Sequence, residues 1–180
     1  LAWDGDKLAA GEAGKGALQE SIFAGYGANE ALLGYAVPGA GPGFADTIKL
    51  IYGLDPSGDR VLGMKVLESR ETPGLGDKIY KDLEFVGEFR ALVVDPLIEL
   101  IKGHGEKPNQ VDAITGATIS SRAVVKILNQ TNEIWRPRIA AFASQPAAAP
   151  GDPTRTVPAL VPPDADRGGP VPGGLTGEKP

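Results

Sequence analysis

The chain contains no cysteine, so disulfides, thiolate metal sites and cysteine nucleophiles are excluded. Histidine is nearly absent: His104 is the only one, in the Gly-flanked stretch GHGEKPN (103–109), where a solvated loop side chain is expected. A Ser-His-Asp triad or a histidine-based zinc site would depend wholly on it. An excess of basic residues is also missing. Asp and Glu number 23 against 18 Lys and Arg, net charge −5, which argues against a nucleic-acid surface. The apolar runs ALLGYAV (31–37) and ALVVDPLIELI (91–101) fall well short of the ~20 residues of a membrane helix. The first residue is Leu1 rather than Met, so a preceding N-terminal segment is expected. Aromatics are sparse, at 6%, but 42% hydrophobic residues over 180 positions suffice for one domain with a core and a remainder.

Proline and glycine are plentiful and unevenly placed. Nine of the 16 prolines fall within 146–180, and no aromatic residue lies beyond Phe142. Such a stretch buries too little apolar surface to offset chain ordering, so 143–180 reads as a Pro/Ala/Gly-rich disordered tail. Residues 1–20 read as a lead-in with weak helical periodicity, and 21–142 as the folded domain.

Within that domain, 21–66 is strand-like, and DPSGD (55–59) between two β-favouring runs signals a hairpin. DKIYKDLEF (77–85) reads as a short helix, while PLIELIK (96–102) fits a strand or a helical turn. Val124, Ile127, Leu128, Thr131, Ile134 and Trp135 recur at the spacing of one helix face, with Ser120 or Ser121 as N-cap and Pro137 as the stop. Hairpins and helices without repeated βαβ alternation indicate an α+β fold, antiparallel strands packed with a few helices.

Three glycine-bearing loops hold the candidate chemistry. GAGPGF (39–44) leads into a β-like run, unlike a phosphate loop that opens a helix, so its glycines are read as positive-φ turns or close backbone approach. In ETPGLG (71–76), Pro73-Gly74 matches the centre of a type II turn that would present Thr72 and Leu75 with little cover, beside Glu71 and Gly76. The third, DAITGAT (112–118), pairs an Asx-type turn at Asp112 with Thr115, a conformationally permissive Gly116, a small Ala117, and Thr118 just ahead of a helix start. Unpaired N–H groups and the helix dipole favour an anion there, and a phosphate would offset the unfavourable first-turn position of Arg122.

ETPGLG followed some forty residues later by VDAITGATISS and an amphipathic helix resembles the FMN-binding domain family. Two of its branches are the nearest in pattern, over roughly 28–135: the Rnf G subunits and the C subunits of sodium-translocating NADH:quinone oxidoreductases. That resemblance implies a flavin transferase that reads D-x-x-(S/T)-G-A-(S/T) and joins FMN through its phosphate to the last hydroxyl. Asp112, Thr115, Gly116, Ala117 and Thr118 match, making Thr118 the attachment residue, and the family's ETPGLG loop implicates Thr72 and Leu75 at the ring. It further implies an electron-transfer role among the other subunits of a membrane complex. The family's flavin domain lies outside the cytoplasm, anchored by an N-terminal membrane helix that is absent from these residues. The long tail is not part of the family pattern. Two alternatives stay open: a flavinylated domain of another extracytoplasmic reductase, and a non-redox anion-binding module.

Overall fold

The computed structural model describes residues 1–3, 8–9, 21–29 and 31–144. Most of the lead-in and the tail from 145 onward therefore lie outside the described residues. Where the lead-in is described, β1 (Ala2–Trp3) and β2 (Leu8–Ala9) form an antiparallel pair rather than a helical turn.

The expected strand region is a meander of β3 (Phe23–Tyr26), β4 (Leu32–Pro42), β5 (Thr47–Leu54) and β6 (Arg60–Glu68), closed at one edge by β7 (Leu92–Val93). All neighbours pair antiparallel, in the order β3-β4-β5-β6-β7. The DPSGD hairpin is present. Asp55 Oδ1 accepts from the N–H of Asp59 at 2.9 Å and of Arg60 at 3.2 Å, closing the turn with a side chain. On β5, strict alternation buries Ile48, Leu50, Tyr52 and Leu54, so one face of the sheet is the core face.

After β6 comes the ETPGLG loop, then two short helices, α1 (Lys78–Lys81) and α2 (Leu83–Glu88), where a single helix is expected. Asp82 divides them: its backbone is extended, and its carboxylate accepts the N–H of Glu84 and Phe85 to cap the second. PLIELIK resolves as strand β8 (Glu99–Ile101), which pairs parallel with β9 (Gln110–Asp112). Asn129 secures this small sheet to the last helix, its side chain bonding both N–H and C=O of Ile98 at 3.0 and 2.9 Å.

That helix, α3 (Thr118–Ala143), lies on the core face of the sheet with Val124, Ile127, Leu128, Trp135 and Ile139 buried. Three expectations for it change. The N-cap is Ala117, so Thr118 is the first helical residue, and Ser120 and Ser121 are already in the first turn. Pro137 does not stop the helix. A mid-helix proline costs about 3 kcal/mol, but Ile139 and Phe142 beyond it are both buried at roughly 1.5–3 kcal/mol each, enough to carry the helix on. Ile134, expected in the core, is 45% exposed at the edge of the apolar stripe. Buried Asn132 takes the opposite edge and accepts the Tyr52 hydroxyl at 2.7 Å. Among the described residues no helix is long and apolar enough to cross a membrane.

Candidate functional site

Both motif loops fold into the same device. Leu75 N–H donates to Thr72 O at 3.1 Å across Pro73-Gly74, and Ala117 N–H donates to Ile114 O at 2.9 Å across Thr115-Gly116. Gly74 and Gly116 have φ of +78° and +82°, the value required at the third position of a type II turn. Each turn therefore needs glycine at that place. The two turns approach each other, with a Cβ on Gly116 standing 3.9 Å from Leu75 Cδ2.

Between them opens a cleft of about 350 Å³, lined by Phe44, Thr72, Leu75, Gly76 and the segment 116–120. Its wall is mostly apolar. Phe44, Leu75 and Ile119 are 63%, 50% and 53% exposed, so large side chains border the opening without being covered.

Glu71 joins the three loops from behind. Its carboxylate is buried and accepts from Ser120 Oγ on α3 and from the N–H of Ala45 (2.8 Å) and Asp46 (3.4 Å) after GAGPGF. Burial pushes this carboxyl up, but the hydrogen bonds from Ser120 and the backbone of Ala45, Asp46 and Phe44 outweigh it and hold the group below the usual carboxylate range. Gly76 packs directly on this network: a Cβ there would stand 2.6 Å from Glu71 Oε2 and 2.8 Å from Ser120 Oγ. For GAGPGF, close approach is the answer rather than positive φ. A Cβ on Gly39 or Gly41 would meet Ile127 at 2.8 or 2.7 Å.

The hydroxyls of TGATISS separate by environment. Ser121 Oγ is fully buried, donating to Ala117 O at 3.0 Å and accepting Ile114 N–H at 3.2 Å, which clamps the second turn to the helix. Ser120 is engaged by Glu71. Thr118 is partly exposed, lines the cleft, and its hydroxyl has no partner among the described residues. The helix start has no side-chain cap and no acidic residue in its first turn, leaving orphan N–H groups beside Thr118.

Of the expected site residues, Thr72, Leu75, Gly76, Gly116, Ala117 and Thr118 come together at this cleft, with Glu71 behind it. Asp112 and Thr115 do not. They line a separate polar hollow with Lys78, Asp82, Glu84 and Glu88. Asp112 makes no Asx turn, because Ile114 N–H is taken by Ser121; its carboxylate reaches Gly105 N–H at 2.9 Å instead. Arg122 is exposed and outside the cleft lining. His104 is a solvated loop side chain, 99% exposed, with Nδ1 3.4 Å from Asp112 Oδ2.

Phe44, Ile119 and Ser120 escape sequence reading. Phe44 had a signal, an aromatic in a Gly/Pro loop of an aromatic-poor chain. Ser120 had none, since its partner lies 49 residues away.

Residues 43–133, about half the chain, match the family model described as FMN-binding domain. The G subunit of the proton-translocating ferredoxin:NAD(+) oxidoreductase complex of Clostridium ljungdahlii is 35% identical over 101 residues, 56% of this chain and 52% of that protein. The G subunit of the ion-translocating oxidoreductase complex of Haemophilus influenzae is 37% identical over 118 residues, 63% of this chain and 53% of that protein. The chain thus spans about half the length of the relatives it matches. Among solved structures, the C subunit of the Na(+)-translocating NADH-quinone reductase of Parabacteroides distasonis aligns at a TM-score of 0.59 and 22% identity, over 69% of this chain and 63% of that one. NqrC of Shewanella oneidensis aligns at 0.58 and 21%, over 67% and 60%. These two share the α+β fold with this chain.

Proposed function

The chain belongs to the FMN-binding domain family, and from that premise we propose that FMN occupies the cleft between the two turns, esterified through its phosphate to Thr118 Oγ1. The observation that carries this reading is the contrast among neighbouring hydroxyls. Ser120 and Ser121 are buried and hydrogen-bonded, Thr115 lines another hollow, and Thr118 alone of the four combines the cleft with an unengaged hydroxyl.

The cleft suits the group on two further counts. A phosphate ester at the first helical residue would meet the uncapped N–H groups of the first turn, where the helix dipole favours negative charge. Apolar Leu75, Phe44 and Ile119 beside the thin Gly76 and Gly116 backbone offer surface for a flat ring. Flavin brings its own redox reactivity, so walls without cysteine or histidine are adequate.

On this reading Thr72, Leu75 and Gly76 meet the ring, Gly116 and Ala117 shape the approach to Thr118, and Glu71 holds the loops in register. Exposed Arg122, four residues beyond Thr118, stands one turn further along the same face of α3 and is the nearest helix cation to the proposed ester in sequence. Asp112 and Thr115, turned away from the cleft, serve recognition by the flavin transferase that makes the ester. Thr118 then needs no general base of its own.

The protein acts as an electron-transfer subunit of an Rnf-type membrane complex, relaying electrons between neighbouring redox subunits. The relatives' names, G subunits of ion-translocating oxidoreductase complexes, support that assignment. Residues 21–142 form the flavin domain, on the extracytoplasmic side. The test is co-production with a flavin transferase and export. Flavin fluorescence should stay with the chain through denaturing electrophoresis and vanish in Thr118→Ala; fluorescence that persists in the variant would refute the attachment site.

A further inference from the structure

We infer that Glu71 supplies a fixed negative charge behind the cleft that lowers the reduction potential of the flavin held there. This rests on the FMN reading above.

Three observations carry it. Glu71 is 5% exposed and lies one backbone thickness behind the cleft wall, since Gly76 lines the cleft while its Cβ position falls 2.6 Å from Glu71 Oε2. Second, no cation balances it. Among the described residues no Lys, Arg or His nitrogen comes within ion-pair distance of its carboxylate; Arg70, next in sequence, lies 3.8 Å from Asp46 instead. Buried carboxylates are ordinarily paired or neutralised. This one is held by neutral donors only, Ser120 Oγ and the N–H of Ala45 and Asp46, which stabilise the anion without cancelling its charge. Third, none of the cleft-lining residues is charged, so no side chain in the wall opposes the field.

A ring in the cleft gains electron density when reduced, and a neighbouring anion opposes that gain. Its reduced state is therefore disfavoured relative to the oxidised state. At an effective dielectric of about 20, a unit charge roughly 10 Å away shifts such an equilibrium about tenfold.

The test compares the flavinylated wild-type chain with Glu71→Gln and Ser120→Ala, each co-produced with a flavin transferase and exported. Each is titrated anaerobically with dithionite against a reference dye and followed by visible absorbance. Glutamine keeps the shape and the bonds, accepting from Ala45 N–H and donating to Ser120 Oγ, while removing the charge. Glu71→Gln should favour reduction about tenfold at fixed potential, a rise of about 30 mV for a two-electron couple. An unchanged or lower potential would overturn the inference and leave the FMN reading intact. Ser120→Ala keeps the charge but removes one donor, so its potential should fall. If Glu71→Gln yields no flavinylated protein, this variant decides: a fall supports the inference and no change or a rise overturns it. A wild-type chain that takes up no flavin overturns the FMN reading, and this inference with it.

Discussion

Replacing Glu71 with alanine should destabilise the fold by about 2–4 kcal/mol even without cofactor. The carboxylate is buried and is the common acceptor for Ser120 on α3 and for Ala45 and Asp46 after GAGPGF. Truncation strands the Ser120 hydroxyl, itself 3% exposed, at roughly 1–3 kcal/mol. Ala45 and Asp46 are exposed residues whose N–H groups can turn to water, so losing the charge-assisted bonds there adds only about 1 kcal/mol. Set against a total stability of roughly 5–15 kcal/mol, the loss is large. Urea unfolding followed by the fluorescence of buried Trp135 measures it directly. Glu71→Gln keeps the acceptor toward Ala45 and meets Ser120 with an N–H in a reversed bond, so it should cost less than about 1.5 kcal/mol. The pair also separates in acid. Because the folded-state pKa of Glu71 is depressed, its contribution is present above the unfolded value of about 4.3 and is lost as pH falls through the folded value. The stability difference between wild type and Glu71→Gln should therefore shrink below pH ~4. Equal urea midpoints for wild type and Glu71→Ala at pH 7 would refute the view that this carboxylate holds the loops together.

Two further outcomes follow from packing. Gly76→Ala, forced against Glu71 and Ser120, should cost about 1–3 kcal/mol by overpacking, read as a lower urea midpoint; an unchanged midpoint would mean the loops yield freely. Pro137→Ala restores a helical N–H at an exposed position and removes a ring clash, so it should raise stability by about 1–3 kcal/mol; a lower melting temperature would contradict the account of why α3 continues to Ala143.

The meander, the DPSGD hairpin and the type II turn at Pro73-Gly74 were legible because local chemistry sets them: alternation on β5, Asp55 in its turn, Pro-Gly at the turn centre. For the second loop only the permissive backbone of Gly116 was legible, not the type II turn it completes. What misled was local chemistry overruled at a distance. Pro137 signals a stop, but Ile139 and Phe142 belong to a core assembled by distant strands. Asp112 suggests an Asx turn, but Ser121, nine residues on, takes the N–H it would have bonded. Thr72 and Thr118 stand out in the sequence as candidate site residues through the paired motifs. The network joining them, Glu71 with Ser120 and the turn after GAGPGF, spans three loops far apart in the chain, and no single segment encodes it.

The central claim is FMN on Thr118, and intact mass of the chain from a host that exports it beside a flavin transferase addresses it most directly. The account predicts a gain of one FMN minus one water, localised by peptide fragmentation to Thr118 and lost in Thr118→Ala. An unmodified mass under those conditions, or an adduct mapped to Thr115, Ser120 or Ser121, would contradict it.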